Sequence, residues 1–431
     1  MANKLSTEDE IVLLLVQPSL TPPAQDKLRN LLERKPSWQV IQRQAQAQEV
    51  LPLVFWNLQR LDFIAVPTPV RTEMEVAYRQ NALWNDLFTR ELTEVLRLLG
   101  EAGVPVIPLK GVALAESLYG DITLRVCTDI DILVPHPRVP EALNLLRARG
   151  YNAEFTEQFF FDILLRSHIE YALERDDRQV RYLLELHWGL LWGLPWDKAA
   201  MEEIWAEAQP GDCFGIPAYT LSPEWELLFL AVHAAKHQCQ GLKWLVDIHV
   251  ICSTRSVDWE KVREKAARAG WEEAVRLTLS ACHTLFDTPI PSDLLLRALP
   301  PWVELFPATA SASWTDAFFP ARLLRRPSEK LRFFLRVLLV PTLAERRLLR
   351  LPSFLGLLYY PLRPLRLACK WSWFALRGVF GGRGQRAEIR DQKIAVRDLT
   401  SDLWASRDGS KQGAGKDKEA GSRELSGQDE C

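Results

Sequence analysis

The sequence predicts an α+β fold, a small mixed β-sheet flanked by helical regions earlier and later in the chain. Three observations carry this expectation. Apolar residues recur at three- and four-residue intervals from Thr7 to Gly100 and again beyond Trp196, the period of helices buried along one face. Between these regions lie short apolar, β-branched runs, at Val104 to Leu109, Thr128 to Val134, Ile169 to Glu174 and Val180 to Trp188. Helical stretches separate the first runs, whereas the last two follow one another with hairpin grammar, so parallel and antiparallel pairings meet in one sheet.

In order along the chain, Pro22-Pro23 and the region of Pro67 and Pro69 punctuate the first helices, and the last and longest of them runs from about Pro69 to Leu99. Gly103 stops that pattern. The run Val104 to Leu109 reads as a buried strand feeding Lys110-Gly111 and a helix from Val112 to Leu118. Tyr119-Gly120-Asp121 makes a turn, and the strand Thr128 to Val134 follows. A helix from about Val139 to Arg149 stops at Gly150. The two hairpin strands are separated by Arg175-Asp176-Asp177-Arg178-Gln179. From Trp196 the pattern is helical, most strongly over Pro223 to Ile251 and Trp259 to Phe286. The expected organisation is a helical domain over 1–100, a mixed-sheet core over 101–195, a second helical domain over 196–320, a basic apolar helical segment over 321–380, and a disordered tail over 381–431.

A chain of 431 residues with 48% hydrophobic and 25% charged residues has the composition of a folded globular protein, not of a disordered one. The net charge of -2 conceals a segregation. Residues Ala321 to Phe380 hold 13 Lys or Arg against two acids, about +11, which leaves about -13 elsewhere. Seven cysteines lie scattered without a C-x-x-C pair, as expected of free thiols in a reducing compartment. The acidic Glu8-Asp9-Glu10 precedes the first apolar run, the wrong charge order for a signal peptide, and no run of about 20 apolar residues occurs. A cytoplasmic protein is expected, peripheral on the inner face of the membrane if the basic segment meets lipid.

Within the strand Thr128-Asp129-Ile130-Asp131-Ile132-Leu133-Val134, alternation places Asp129 and Asp131 on one face and Ile130 and Ile132 on the other. Two carboxylates so close repel unless a cation lies between them, and hard divalent ions prefer such oxygens; a solvated strand edge or turn is the other reading of Asp-x-Asp. Glu185 and His187 share one face of their strand, opposite Leu184, Leu186 and Trp188. A third acid on a neighbouring strand completes the oxygen donors of a two-metal site, the geometry of phosphoryl and nucleotidyl transfer. Lys110-Gly111 ends a strand and opens a helix, so the glycine permits close approach, free helix N–H groups face a phosphate, and Lys110 adds a point charge.

These residues carry a resemblance. Pro108-Leu109-Lys110-Gly111, Leu118-Tyr119-Gly120-Asp121, Arg125, the strand with Asp129 and Asp131, Gly150-Tyr151, Glu185-Leu186-His187-Trp188 and Leu242-Lys243-Trp244-Leu245-Val246-Asp247 resemble the uncharacterised nucleotidyltransferases of the polymerase-beta-like nucleotidyltransferase superfamily. The resemblance spans roughly Trp38 to Cys252. It implies a polymerase-beta-like core that moves a nucleoside monophosphate from a nucleoside triphosphate to an acceptor, with Mg2+ and release of pyrophosphate. On it, Asp129, Asp131 and Glu185 are the metal-binding, catalytic acids, and Lys110-Gly111 stands where the superfamily usually has Gly-Ser. The acceptor, whether small molecule, sugar or protein, is open, and the alternative is an inactive nucleotide-binding or membrane-recruited module.

Arg125 is expected to contact the triphosphate or to form a surface ion pair. His187 faces the site or is a sheet histidine bonded to a neighbour. His233 and His237 share a helix face. Ala234 follows the first of them where a zinc protease needs Glu, which excludes that chemistry. With Lys236, Lys243 and Asp247 they either line a nucleotide or acceptor pocket, Lys243 binding nucleotide, or simply pack. In the basic segment, cations alternate with bulky apolar groups, which suits an anionic membrane surface and equally a basic subdomain docked on the acidic remainder. Its aromatics sit in aliphatic runs rather than on a stacking platform, which argues against nucleic acid as partner.

Overall fold

A computed structural model describes residues 5–153, 158–177, 180–190, 198–300, 303, 305 and 320–380. The expected tail over 381–431 lies outside the described residues, as do Arg178-Gln179, the start of the helical region at Trp196, and the side chains of Trp371, Trp373 and Phe374. The fold is α+β, as the sequence predicts, with a small mixed sheet between helical regions.

Five helices come first: α1 (Thr7–Leu15), α2 (Pro22–Leu32), α3 (Trp38–Ala47), α4 (Leu51–Arg60) and α5 (Thr68–Glu101). Ser6 and Asp9 form a reciprocal capping box that starts α1, whose Ile11 to Leu15 are all buried. At 34 residues, α5 is about 50 Å long, long enough to join two hydrophobic cores. Its Val70 and Met74 pack into the first core, shared with α1 to α4. Phe88, Leu92, Val95, Leu96 and Leu99 pack into the second core, beneath the sheet.

The sheet is built from β1 (Ile107–Pro108), β2 (Ile130–Leu133), β3 (Asn152–Ala153), β4 (Glu170–Asp177) and β5 (Val180–His187), in the order β1-β2-β5-β4-β3. β2 and β5 are parallel, and the other pairings are antiparallel. Helices α6 (Gly111–Tyr119), α7 (Val139–Ala148) and α8 (Gln158–Ser167) connect the strands. Ile130, Ile132, Leu184 and Leu186 enter the second core, so the predicted alternation holds and the acids of β2 and β5 turn to the other face. β1 is only two residues long because Pro105 and Pro108 have no N–H for a ladder. The β4–β5 pairing extends to Asp177 opposite Val180, so Arg175, Asp176 and Asp177 belong to the strand rather than to the expected turn.

α9 (Lys198–Glu207) precedes a second departure from expectation. β6 (Gln209–Cys213) and β7 (Ile216–Thr220) form a hairpin within the region read as helical. Phe214 and Gly215 both have positive φ, 54° and 79°, the tight turn that right-twisted strands require. The Tyr219 amide donates to Val106 O at 2.8 Å, attaching this ribbon beside β1. Then follow α10 (Pro223–Lys236), α11 (Leu242–Thr254), α12 (Trp259–Ala269) and α13 (Glu272–Phe286), whose apolar faces join the first core with α1 to α4. α14 (Pro320–Leu323), α15 (Pro327–Leu339), α16 (Leu343–Leu348) and α17 (Tyr359–Phe380) complete the described chain. The six described cysteines are free.

Glu91 ties α5 to the sheet edge. It is 3% exposed and accepts from Arg149 Nη2 at 2.7 Å, Arg175 Nη2 at 2.5 Å and Tyr151 Oη at 2.9 Å. Burial would raise its pKa, but these bonds outweigh burial and hold the carboxyl below its usual range. A depressed folded-state pKa contributes stability above the unfolded carboxyl pKa that is lost as pH falls through the folded value. Glu91→Ala is therefore expected to destabilise by about 2 kcal/mol at neutral pH, with the two arginines partly rescued by water. In thermal melts its deficit should shrink as the solution is acidified; a deficit unchanged at acid pH would refute the ion-pair account.

Candidate active site

Parallel pairing sets Asp131 directly opposite Glu185, and His187 lies two residues further along β5. All three are buried, and one potential ligand atom from each lies within 4.8 Å of the others. His187 Nε2 is 3.1 Å from Asp131 Oδ1 and 3.4 Å from Glu185 Oε2. Its Nδ1 lies 3.3 Å from Glu170 Oε2, near enough to pair in charge but too poorly aligned for a hydrogen bond. Lys110 Nζ is 2.8 Å from Asp131 Oδ1. Asp131 Oδ2 is buried and has no hydrogen-bond partner among the described residues.

The electrostatics follow from burying several charges together. Desolvation, opposed by Lys110 but reinforced by the charges of Asp129 and Glu185, holds Asp131 above the usual carboxylate range. Glu185 is held well below that range: burial acts against this, but the His187 hydrogen bond and the Lys110 charge prevail. Burial alone would lower His187, yet its carboxylate partners raise it to about 9.

Of the residues singled out in the sequence, the structure brings Asp131, Glu185, His187 and Lys110 together. Asp129 stands next to this group, buried, and its charge acts on Asp131, but its carboxylate is not among the mutually close ligand atoms. Gly111 has φ +63°, and a Cβ there would meet the Asp129 carbonyl oxygen at 3.0 Å, so the glycine is what lets α6 begin against the acid strand. Arg125 forms an ion pair that is buried, not at the surface: Nε is 3.1 Å from Asp247 Oδ2, and Tyr119 Oη donates to Asp247 Oδ1 at 2.8 Å. Lys243 is buried, pairs with Glu49 at 2.5 Å and donates to Val126 O at 3.2 Å.

His233 and His237 join an aromatic group with Phe229 and Trp244. The His237 and Trp244 rings stack at 4.5 Å, and His233 meets the Trp244 edge at 5.2 Å. Lys110 Nζ, 5.8 Å from the Phe229 ring centroid, links this wall to the acids. The histidines pack against these rings and remain half-buried. Gly241 is required here, because a Cβ would fall inside the Trp244 indole surface. Gly241→Ala should displace Trp244 and cost about 1–3 kcal/mol in melts; an unchanged melting temperature would show that the ring has room to move.

Sequence reasoning missed Glu170 and Phe229. Glu170 pairs opposite His187 in the hairpin register, and alternation alone does not set that register. Phe229 carries no sequence signal beyond its apolar periodicity.

A family model described as uncharacterised nucleotidyltransferase matches residues 34–287. No curated protein matches significantly. Among solved structures, a solution structure of the antibiotic-resistance factor ANT(2'')-Ia is 16% identical, covering 43% of this chain and 91% of that one at a TM-score of 0.30. A crystal structure of ANT(2")-Ia with adenylyl-2"-tobramycin is 18% identical, with coverages of 42% and 97% and a TM-score of 0.30. An antigenic nucleotidyltransferase-like protein from Paracoccidioides brasiliensis is 15% identical, with coverages of 48% and 96% and a TM-score of 0.30. With the family match extending over more than half of the chain and enclosing the sheet, the acid group and the aromatic wall, this protein belongs to the uncharacterised nucleotidyltransferase family and is an enzyme of the nucleotidyltransferase class.

Proposed function

We propose that the chain moves a nucleoside monophosphate from a nucleoside triphosphate to an acceptor hydroxyl, releasing pyrophosphate, at the face formed by β2 and β5. The observation that carries this reading is the pairing of Asp131 with Glu185 across two parallel strands, buried beside the Lys110-Gly111 helix start. The donor set fits a divalent cation, because Asp131 Oδ2 is buried without a partner and an ion would satisfy it. Asp129, Asp131 and Glu185 would hold Mg2+, with His187 beside them. Such an ion supplies Lewis acidity toward phosphate oxygens and neutralises charge on the departing pyrophosphate.

The chain's own groups have separate tasks. The first N–H groups of α6, starting at Gly111, are free to donate to phosphate oxygens. Lys110, held against Asp131, is within side-chain reach of an incoming triphosphate and exchanges one anionic partner for another. His187 holds the acid pair in place, its Nε2 lying 3.1 Å from Asp131 Oδ1 and 3.4 Å from Glu185 Oε2. Arg125, through Asp247 and Tyr119, positions the loop before β2 and so sets how triphosphate meets the acids. Lys243 braces the same loop through Val126 and contributes positive charge to the nucleotide side. The half-buried His237–Trp244 stack offers a planar surface to the base or to the acceptor. In this reading 101–195 is the catalytic core, and the helical regions 1–100 and 196–320 flank and close the cleft.

The test is incubation of the protein with each labelled nucleoside triphosphate, Mg2+ and cell extract, following label and pyrophosphate. Label on a small molecule, a sugar or a protein identifies the acceptor class. Absence of pyrophosphate release with every nucleotide and extract, despite nucleotide-induced stabilisation in melts, would replace the proposal by an inactive binding module.

A further inference from the structure

Exposed apolar side chains are concentrated in one part of the molecule. Of the 19 large hydrophobic residues that are exposed among the described residues, 13 lie between Leu331 and Leu365. α15 shows why this is not ordinary surface. Its Phe333 and Val337 pack inward with Ala321 and Leu324. Leu331, Phe334, Leu335 and Leu338, spaced i, i+3, i+4 and i+7, form a second stripe that faces outward with exposures of 37–59%. A helix merely docked on the remainder of the protein has use for one apolar stripe. In the short turn at Ser353–Leu358, Phe354 is 81% and Leu357 72% exposed.

The charges on this face have one sign. Glu329 and Glu345 are the only acids between residues 321 and 370, and both are buried. Glu345 is 0% exposed, bonded to Thr342 and paired with Arg363 and Arg366. The exposed charge there is cationic: Lys330, Arg332, Arg347 and Arg350.

We propose that the α15–α17 face is a docking surface for an anionic lipid bilayer. Leu, Phe and Tyr side chains would enter the boundary between headgroups and acyl chains, while the surrounding cations meet lipid phosphates. A second copy of the chain is the poorer occupant, because symmetric pairing would bring cations together with both nearby acids already neutralised internally. The sequence after Ser406 offers little cover, with Leu425 its only large apolar residue. No described helix is long and apolar enough to cross a membrane; the contact lies in the plane of the interface.

Flotation of the full-length protein with phosphatidylcholine vesicles, with and without phosphatidylglycerol, tests this independently of turnover. Binding is expected only with phosphatidylglycerol, weakening as salt rises. The double variants Arg332→Glu/Arg350→Glu and Phe354→Ser/Leu357→Ser should each bind at least about tenfold more weakly, with melting temperature and nucleotidyl transfer in solution unchanged. No association with phosphatidylglycerol vesicles overturns the proposal. So does equal binding to both vesicle types, or a concentration-dependent dimer abolished by Phe354→Ser/Leu357→Ser, which would assign the face to a second copy.

Discussion

Asp131→Asn is expected to lower nucleotidyl transfer by about 10³-fold or more while the protein stays folded. The substitution keeps the side chain's shape in a fully packed position and removes only the charge. Asp131 is the residue on which the site converges: Lys110 and His187 both bond its Oδ1, Glu185 faces it across the strands, and its buried Oδ2 has no hydrogen-bond partner among the described residues. The stability cost should be small because Asp131 is a strained anion, held above its usual pKa by burial and by the neighbouring acids. Losing it relieves repulsion with Asp129 and Glu185 while depriving Lys110 of a partner, two effects of opposite sign. Turnover measured beside a thermal melt separates the outcomes. Full activity in a folded Asn variant would remove Asp131 from the catalytic role; loss of activity together with collapse of the melt would make it structural.

Asp247→Ala is expected to destabilise the protein by about 3–5 kcal/mol, the range for leaving a buried cation unpaired. Asp247 is 0% exposed, and Arg125, 5% exposed, has it as its carboxylate partner. Burial would lower the arginine's pKa and the Asp247 charge offsets it; in the variant that offset is gone, yet a guanidinium does not deprotonate in proteins, so the buried cation must be accommodated without its anion. A surface pair of the same composition would cost 1 kcal/mol or less, about what solvent screening leaves. Denaturant unfolding distinguishes the two. A loss below about 1 kcal/mol would mean that water reaches Arg125, and would return it to the nucleotide-contacting role that the sequence suggested. The pair joins α11 to the segment that leads into β2, so the variant should also raise KM for the nucleotide more than it lowers kcat.

Much of the core was legible because alternation and helical period are local. Ile130 and Ile132 against Asp129 and Asp131, and Leu184 and Leu186 against Glu185 and His187, divide between core and site as their spacing requires. Helix α5 and the stops at Gly120 and Gly150 were readable from apolar period and glycine for the same reason. The β6–β7 hairpin was not, since its five-residue strands are too short to establish a period and its turn uses Phe214 at positive φ, where Gly or Asn is the usual signal. Arg125 carried no sequence mark separating a surface pair from a buried one, because its partner lies 122 residues away.

The sequence by itself determined which side chains share a face, where the helices stop, and that charge is segregated toward residues 321–380. Each of these depends on neighbours a few positions apart. Only the tertiary structure decided that Asp131 meets Glu185 in register, that Lys110 and His187 sit against that acid, and that Arg125 belongs to Asp247. It also decided that the acids of the basic segment turn inward while Leu331, Leu335 and Leu338 of α15 turn out. Backbone periodicity fixes the direction of a side chain relative to its own strand or helix, whereas a partner and its protonation state are set by which distant element packs against it and how much water that packing removes.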